Sequence, residues 1–139
     1  SDLPVDAGTA KRPLSFIDLP AFDRDLSHTL SRAKDPVVVT STDTIALKQL
    51  PNRLEKWIAA VDKSGGKIET HNIDGAEPAT RSLGLLLSIL GSIPQVMDFA
   101  RDMIYSDARN YNAKIFYRMD SKGDRVMDRM ELVRRTPAQ

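Results

Sequence analysis

The chain offers two imidazoles, His28 and His71, and no thiol. Either histidine has the proton affinity for general acid–base work near neutral pH. Nucleophilic catalysis also needs a hydroxyl or thiol held against the base, and no such pair stands at a recognisable spacing. The absence of Cys excludes disulfide scaffolds, thiolate zinc sites and Cys nucleophiles. Two histidines exclude a three-His metal site within one chain. Carboxylate pairs occur at Asp23/Asp25 and Asp98/Asp102. The i, i+4 spacing of the second pair puts both groups on one helix face, where they could bind a metal or share a proton. Arg101 sits beside them and no His stands at matching spacing, so a solvated helix face is the expectation.

Three short patterns fail for physical reasons. Ser31–Lys34 and Ser64–Lys67 both read S-x-x-K, but the companion S-D-N and K-T-G motifs are missing. Gly65-Gly66-Lys67 lacks both the earlier Gly and the following Ser or Thr of a phosphate-cradling loop, since Ile68 stands there. Asp120-Ser121-Lys122-Gly123-Asp124 lacks the alternating acids and closing Glu of a calcium loop, and its polar residues suit a hairpin turn. No catalytic residue, metal ligand or cofactor is assigned.

The elements that would position any site follow from apolar spacing. Leu14–Ile17 is a short strand candidate. Pro20 fits the first turn of a helix carrying Phe22, Leu26, Leu30 and Ala33, with acids early and Arg32 and Lys34 late, as the helix dipole favours. Asp35-Pro36 ends it. Pro36–Ser41, rich in β-branched residues and uncharged, is expected as a strand buried on both faces. A second helix from about Pro51 aligns Leu54, Trp57, Ile58 and Val61 and stops at Ser64-Gly65-Gly66. Lys67–Ile73 alternates as a strand with Ile68, Thr70 and Asn72 on one face. This strand–helix–strand unit predicts parallel neighbours. Thr80 and Ser92 are N-cap candidates for two further helices, the last reaching about Ser106 with Met103 and Ile104 facing inwards. Ala113–Met119 and Arg125–Val133 form a terminal hairpin. The order is roughly (β)-α-β-α-β-α-α-β-β. It specifies an α+β (or α/β) two-layer sandwich, a mixed sheet with a central β-α-β unit and a C-terminal hairpin.

With 139 residues, 41% hydrophobic and 28% charged, the composition supports one core. The expected organisation is an N-terminal arm over 1–13, one globular domain over 14–135 and a frayed tail over 136–139. Twenty basic residues face nineteen acidic ones, and both halves of the chain are balanced. That argues against a wholly basic nucleic-acid module. The hairpin region carries Lys114, Arg118, Lys122, Arg125, Arg129, Arg134 and Arg135 around Phe116 and Tyr117. Asp120, Asp124, Asp128 and Glu131 are interleaved, and cross-strand ion pairs explain the mixture.

The most unusual feature is Ser82–Met97, sixteen residues without a charge. It is shorter than the roughly 20 apolar residues of a membrane span and is broken by Gly91 and Pro94. Leu or Ile stands on nearly every side, which leaves more apolar surface than one buried stripe needs. The expected function is therefore a non-catalytic protein-interaction or accessory module, gripping another protein or an apolar ligand through an apolar or sheet-edge surface. The candidate contacts are Leu86, Ile89, Leu90 and Ile93, with Phe116 and Tyr117 on the hairpin. A homo-oligomer is one form such a contact takes. The alternative is a small enzyme or ligand-binding domain with a pocket at the strand C-termini near Thr40, Ser41, Thr42 and Asp43, joined by His71. The Pro- and Gly-containing arm Ser1–Pro13 suits a tether, which points to a periplasmic or membrane-tethered place in a bacterial envelope, with the cytoplasm as alternative. The alternation ending in a hairpin resembles the OmpA-like peptidoglycan-binding fold. That family's signature is absent, with Leu30-Ser31-Arg32-Ala33 and Thr42-Asp43 holding fragments of it in the wrong order, so no binding residue carries over.

Overall fold

A computed structural model describes residues 13–78, 89 and 103–136. In chain order these form β1 (Leu14–Ser15), α1 (Pro20–Arg32), β2 (Val37–Thr40), a 3-10 turn (Leu47–Gln49), α2 (Asn52–Lys63), β3 (Ile68–Asn72), a 3-10 helix (Met103–Asn110), β4 (Tyr111–Met119) and β5 (Arg125–Arg134). The architecture is a two-layer α+β fold around one mixed sheet of order β1-β2-β5-β4-β3.

The sheet corrects one expectation. β2 and β3 flank α2 in sequence, yet they are not neighbours. β5 lies antiparallel between β2 and β4, and β3 pairs parallel with β4. The α2 crossover therefore spans two strand positions, which the later hairpin fills. The reason is in the burial. Ala113, Ile115, Met130 and Leu132 are almost fully enclosed, so the hairpin carries the most apolar strands and takes the centre. β2 is also less covered than its composition suggests: Val37 and Val39 are buried while Val38 and Thr40 are only half-buried.

The hairpin turn behaves as its chemistry requires. Asp120 Oδ1 accepts the backbone N–H groups of Lys122 and Asp124, each at 2.9 Å. These bonds, that of Asp124 foremost, hold the Asp120 carboxyl below the usual carboxylate range. Gly123 takes φ +83°, the left-handed conformation that costs glycine least. Further along, Phe116 pairs with Arg129 but Tyr117 pairs with Met127. Asp128 is thus an extra residue, a β-bulge. It turns Asp128 and Arg129 outward in succession, between the buried Met127 and Met130.

The helical layer is bolted to itself by a buried carboxylate. Asp23 follows Phe22 on the inner face of α1 and is 5% exposed. It accepts hydrogen bonds from Trp57 Nε1 at 2.8 Å and Tyr105 Oη at 3.0 Å, and the guanidinium of Arg53 closes on the same carboxylate. Burial alone would lower the Arg53 pKa, but the hydrogen bond and charge of Asp23 raise it above its ordinary value. Trp57 and Tyr105 also meet edge to face at 4.7 Å.

Met103 and Ile104 do not face inwards as expected: they are 67% and 36% exposed. Tyr105, Ala108 and Tyr111 are the buried positions there. Their spacing of three matches the three residues per turn of a 3-10 helix, not an α-helix.

Candidate binding groove

Phe16 N–H donates to the Thr40 carbonyl at 2.7 Å, the last link between the first two strands. Beyond it the chains diverge. The segment Ser15–Asp18 turns towards α1, where Phe16 meets Phe22 edge to face at 4.9 Å. The other chain makes an excursion over Ser41–Thr44 before Ile45 and Ala46 return to the sheet, with Met127 N–H bonded to the Ile45 carbonyl and Ala46 bridging Val126. The excursion is pinned by Ser41, whose Oγ both donates to the Asp43 carbonyl and accepts from the Asp43 N–H.

Between these walls lies a groove of about 470 Å³, at the C-terminal ends of two parallel strands, closed at one side by Pro51. Phe16, Ile17, Ile45 and Pro51 supply apolar surface, while Ser41, Thr42, Thr44 and Asp43 supply polar groups. Asp18 at its mouth pairs with Arg53 at 3.2 Å. Ile17 is 52% exposed and Leu19, just past the rim, 55%. The groove also sits at a sheet edge, because β1 has a partner only on its β2 side among the described residues.

The alternative pocket brought Thr40–Asp43 together with His71. The structure brings Ser41, Thr42 and Asp43 to the groove and leaves Thr40 and His71 out of its lining. His71 is on β3, three strand positions from β2, or about 14 Å at the usual interstrand spacing. Its Nε2 lies 2.9 Å from Glu69 Oε1, and its ring stacks on Phe116 at 5.1 Å. The same Phe116 ring carries the Arg129 guanidinium at 3.8 Å, and Arg129 reaches Glu131 at 2.8 Å and Asp128 at 3.0 Å. This ladder occupies the sheet face opposite the core, so His71 and Phe116 serve each other there.

Among the six contact residues expected from sequence, Leu86, Leu90 and Ile93 lie outside the described residues. Ile89 is 1% exposed and Tyr117 0%, which corrects their placement on a contact surface. Tyr117 follows the inward alternation of β4 and donates its hydroxyl to Glu77 Oε1 at 2.7 Å. Glu77 in turn receives two N–H bonds from Arg125, each at 2.8 Å. Burial, and next the bond to Glu77, push the Tyr117 phenol up to about 12. Of the three described, only Phe116, half-buried beneath its two partners, reaches the surface.

The groove residues Phe16, Ile17 and Ile45 were not singled out from sequence. The available signal was Phe16-Ile17 beyond a short strand, two bulky apolar residues ahead of a helix start. No helix among the described residues is long and apolar enough to cross a membrane. Neither a family model, a curated protein nor a solved structure matches the chain.

Proposed function

We propose that the chain is a non-catalytic interaction module that takes an extended apolar segment of another protein into the groove beside β1. One observation carries this reading: Ile17, 52% exposed, lines a 470 Å³ concavity at a sheet edge, and Leu19, two residues on, is 55% exposed. Exposed apolar surface next to a concave site favours partners that bury it, at roughly 25 cal/mol for each Å² removed from water. The lining supports binding rather than turnover, since its hydroxyls have no imidazole beside them and Ser41 is spent on its own turn. The bacterial-envelope location belongs to the same proposal and is tested by cell fractionation.

Proximity labelling from the groove provides the functional test. A photo-crosslinking side chain at Ile17 should yield a discrete adduct in cells, and the same side chain at exposed Asp25 on α1 should not. Ile17→Asp with Leu19→Asp should abolish recovery of that partner while leaving the fold unchanged by circular dichroism. Equal labelling from the two positions, or recovery unaffected by the substitutions, overturns the reading.

A further inference from the structure

The opposite end of the molecule carries a second site, argued from charge rather than apolar surface. The fold gathers there the end of β5, the start of β4 and the C-termini of α1 and α2. Arg134 donates to the carbonyls of Leu30 and Ala33 at the end of α1, at 3.2 and 3.2 Å, and to Tyr111 Oη at 3.0 Å. Arg135 donates to the Ser64 carbonyl at the end of α2 at 3.2 Å. Arg109 donates through Nε to Ser106 O at 3.1 Å. These three arginines, with Asn110 and Thr136, line a concavity of about 490 Å³.

Carbonyl anchoring fixes each guanidinium in place and uses only part of its five-donor fork. Among the described residues no carboxylate lines the concavity. This separates the three from Arg125, matched by Glu77, and from Arg129, matched by Asp128 and Glu131. The helix ends add Arg32, Lys34 and Lys63 against Asp35, Asp62 and Asp107, the last already receiving a hydrogen bond from Ser27. Helix C-termini attract cations, which explains one arginine at each end. It does not explain why three line one hollow with no acid among the described residues of its lining.

We propose that this concavity is an oxyanion site for a small, soluble, phosphate-bearing ligand. A planar guanidinium fork matches phosphate oxygens bidentately, and the lining has Arg in all three positions and Lys in none. The volume falls in the usual range for small-molecule sites, about 300–1,000 Å³. A preformed hollow suits a compact anion better than a membrane or a long polyanion. The site is independent of the groove beside β1.

Calorimetric titration of the full chain with inorganic pyrophosphate is the test. Saturable binding that weakens at higher salt is expected. Arg109→Ala, an exposed position whose loss leaves the Arg134 and Arg135 anchors in place, should weaken it by about tenfold, as expected for losing a charge-assisted pair of hydrogen bonds. Arg24→Ala, an exposed arginine on α1, should leave it unchanged. Phosphatidylglycerol vesicles, assayed by flotation, separate a lipid headgroup from a free phosphate. Absence of pyrophosphate binding, equal binding by wild type and Arg109→Ala, or binding to vesicles alone overturns the proposal.

Discussion

Replacing Asp23 should destabilise the protein far more than replacing any exposed carboxylate. Its side chain is 6% exposed, and the Arg53 side chain that closes on it is 20% exposed. Asp23→Ala leaves the Trp57 indole N–H, the Tyr105 hydroxyl and the Arg53 guanidinium without their shared acceptor. Each hydrogen bond to a charged acceptor contributes about 1.5–3 kcal/mol, and those from Trp57 and Tyr105 are lost, while Arg53 keeps the Asp18 carboxylate at 3.2 Å. Orphaned donors act in the same direction, though contributions within one network are not additive. An expected loss of about 3–5 kcal/mol is a large fraction of a typical domain's 5–15 kcal/mol. Asp23→Asn, which keeps an oxygen for Trp57 but loses the charge, should cost about 2 kcal/mol. Asp25→Ala, two residues away and exposed, should stay within about 0.5 kcal/mol.

Urea unfolding followed by fluorescence reads this directly, because Trp57 is the only tryptophan and sits in the network. Midpoints for wild type and the three variants give the order Asp25→Ala, Asp23→Asn, Asp23→Ala, from least to most destabilised. A double-mutant cycle of Asp23→Ala with Arg53→Met should show that the second change costs less once the first is made. The reasoning fails if Asp23→Ala costs under about 1 kcal/mol, or if the cycle shows no coupling.

Two further predictions follow from burial and backbone geometry. Tyr117, pushed up to about 12 from 10.0, keeps its proton in the folded chain after the unfolded chain has lost it. Stability should therefore be independent of this group below pH 10 and fall by on the order of 2 kcal/mol between pH 10 and 12. Urea midpoints of Tyr117→Phe should lie below wild type at pH 9 and approach it by pH 12, and a constant gap would refute the assignment. At the end of α2, a Cβ on Gly66 would lie 2.6 Å from the Tyr111 carbonyl and 2.7 Å from Val61 Cγ1. Gly66→Ala should cost about 3 kcal/mol. Gly65→Ala, strained only by its φ of +92° and with Arg135 Nη1 in ordinary contact at 3.6 Å, should cost about 1 kcal/mol. Thermal melts showing the two equal would refute the close-approach argument.

The elements with local causes were legible in the sequence. Pro20 and Asp35-Pro36 bracket α1, Ser64-Gly65-Gly66 ends α2, and Asp120–Asp124 turns the hairpin, each for a reason contained within a few residues. What depends on distant partners was not legible. The β5 strand slots between β2 and β4 because of how several apolar faces compete for the centre of the sheet, and no single segment encodes that choice. The bulge at Asp128 did leave a trace, since Met127, Met130 and Leu132 are spaced three and then two apart, breaking strict alternation. Asp23 left one as well. It stands three residues before Leu26 and seven before Leu30, on the buried stripe of α1, where a carboxylate needs a partner; the partners lie 30 to 82 residues away.

The same distinction explains why near-neutral composition was a poor guide to where charge sits. Counting along the chain averages residues that the fold separates. Arg125 finds Glu77 in the loop after β3, and Arg129 finds Asp128 and Glu131 on its own strand. Arg134 and Arg135 come where the hairpin ends, Arg134 in the last cross-strand pair, with Tyr111, and Arg135 just past it. Their neighbours are therefore helix ends, which offer carbonyls instead of carboxylates. A carbonyl fixes a guanidinium without neutralising it fully, so charge is retained at that end of the sheet. At the other end, beyond Thr40, chain divergence leaves a groove lined by Phe16, Ile17 and Ile45. Both features arise where sheet pairing stops, with guanidiniums held by backbone carbonyls at one end of the strands and exposed apolar side chains at the other.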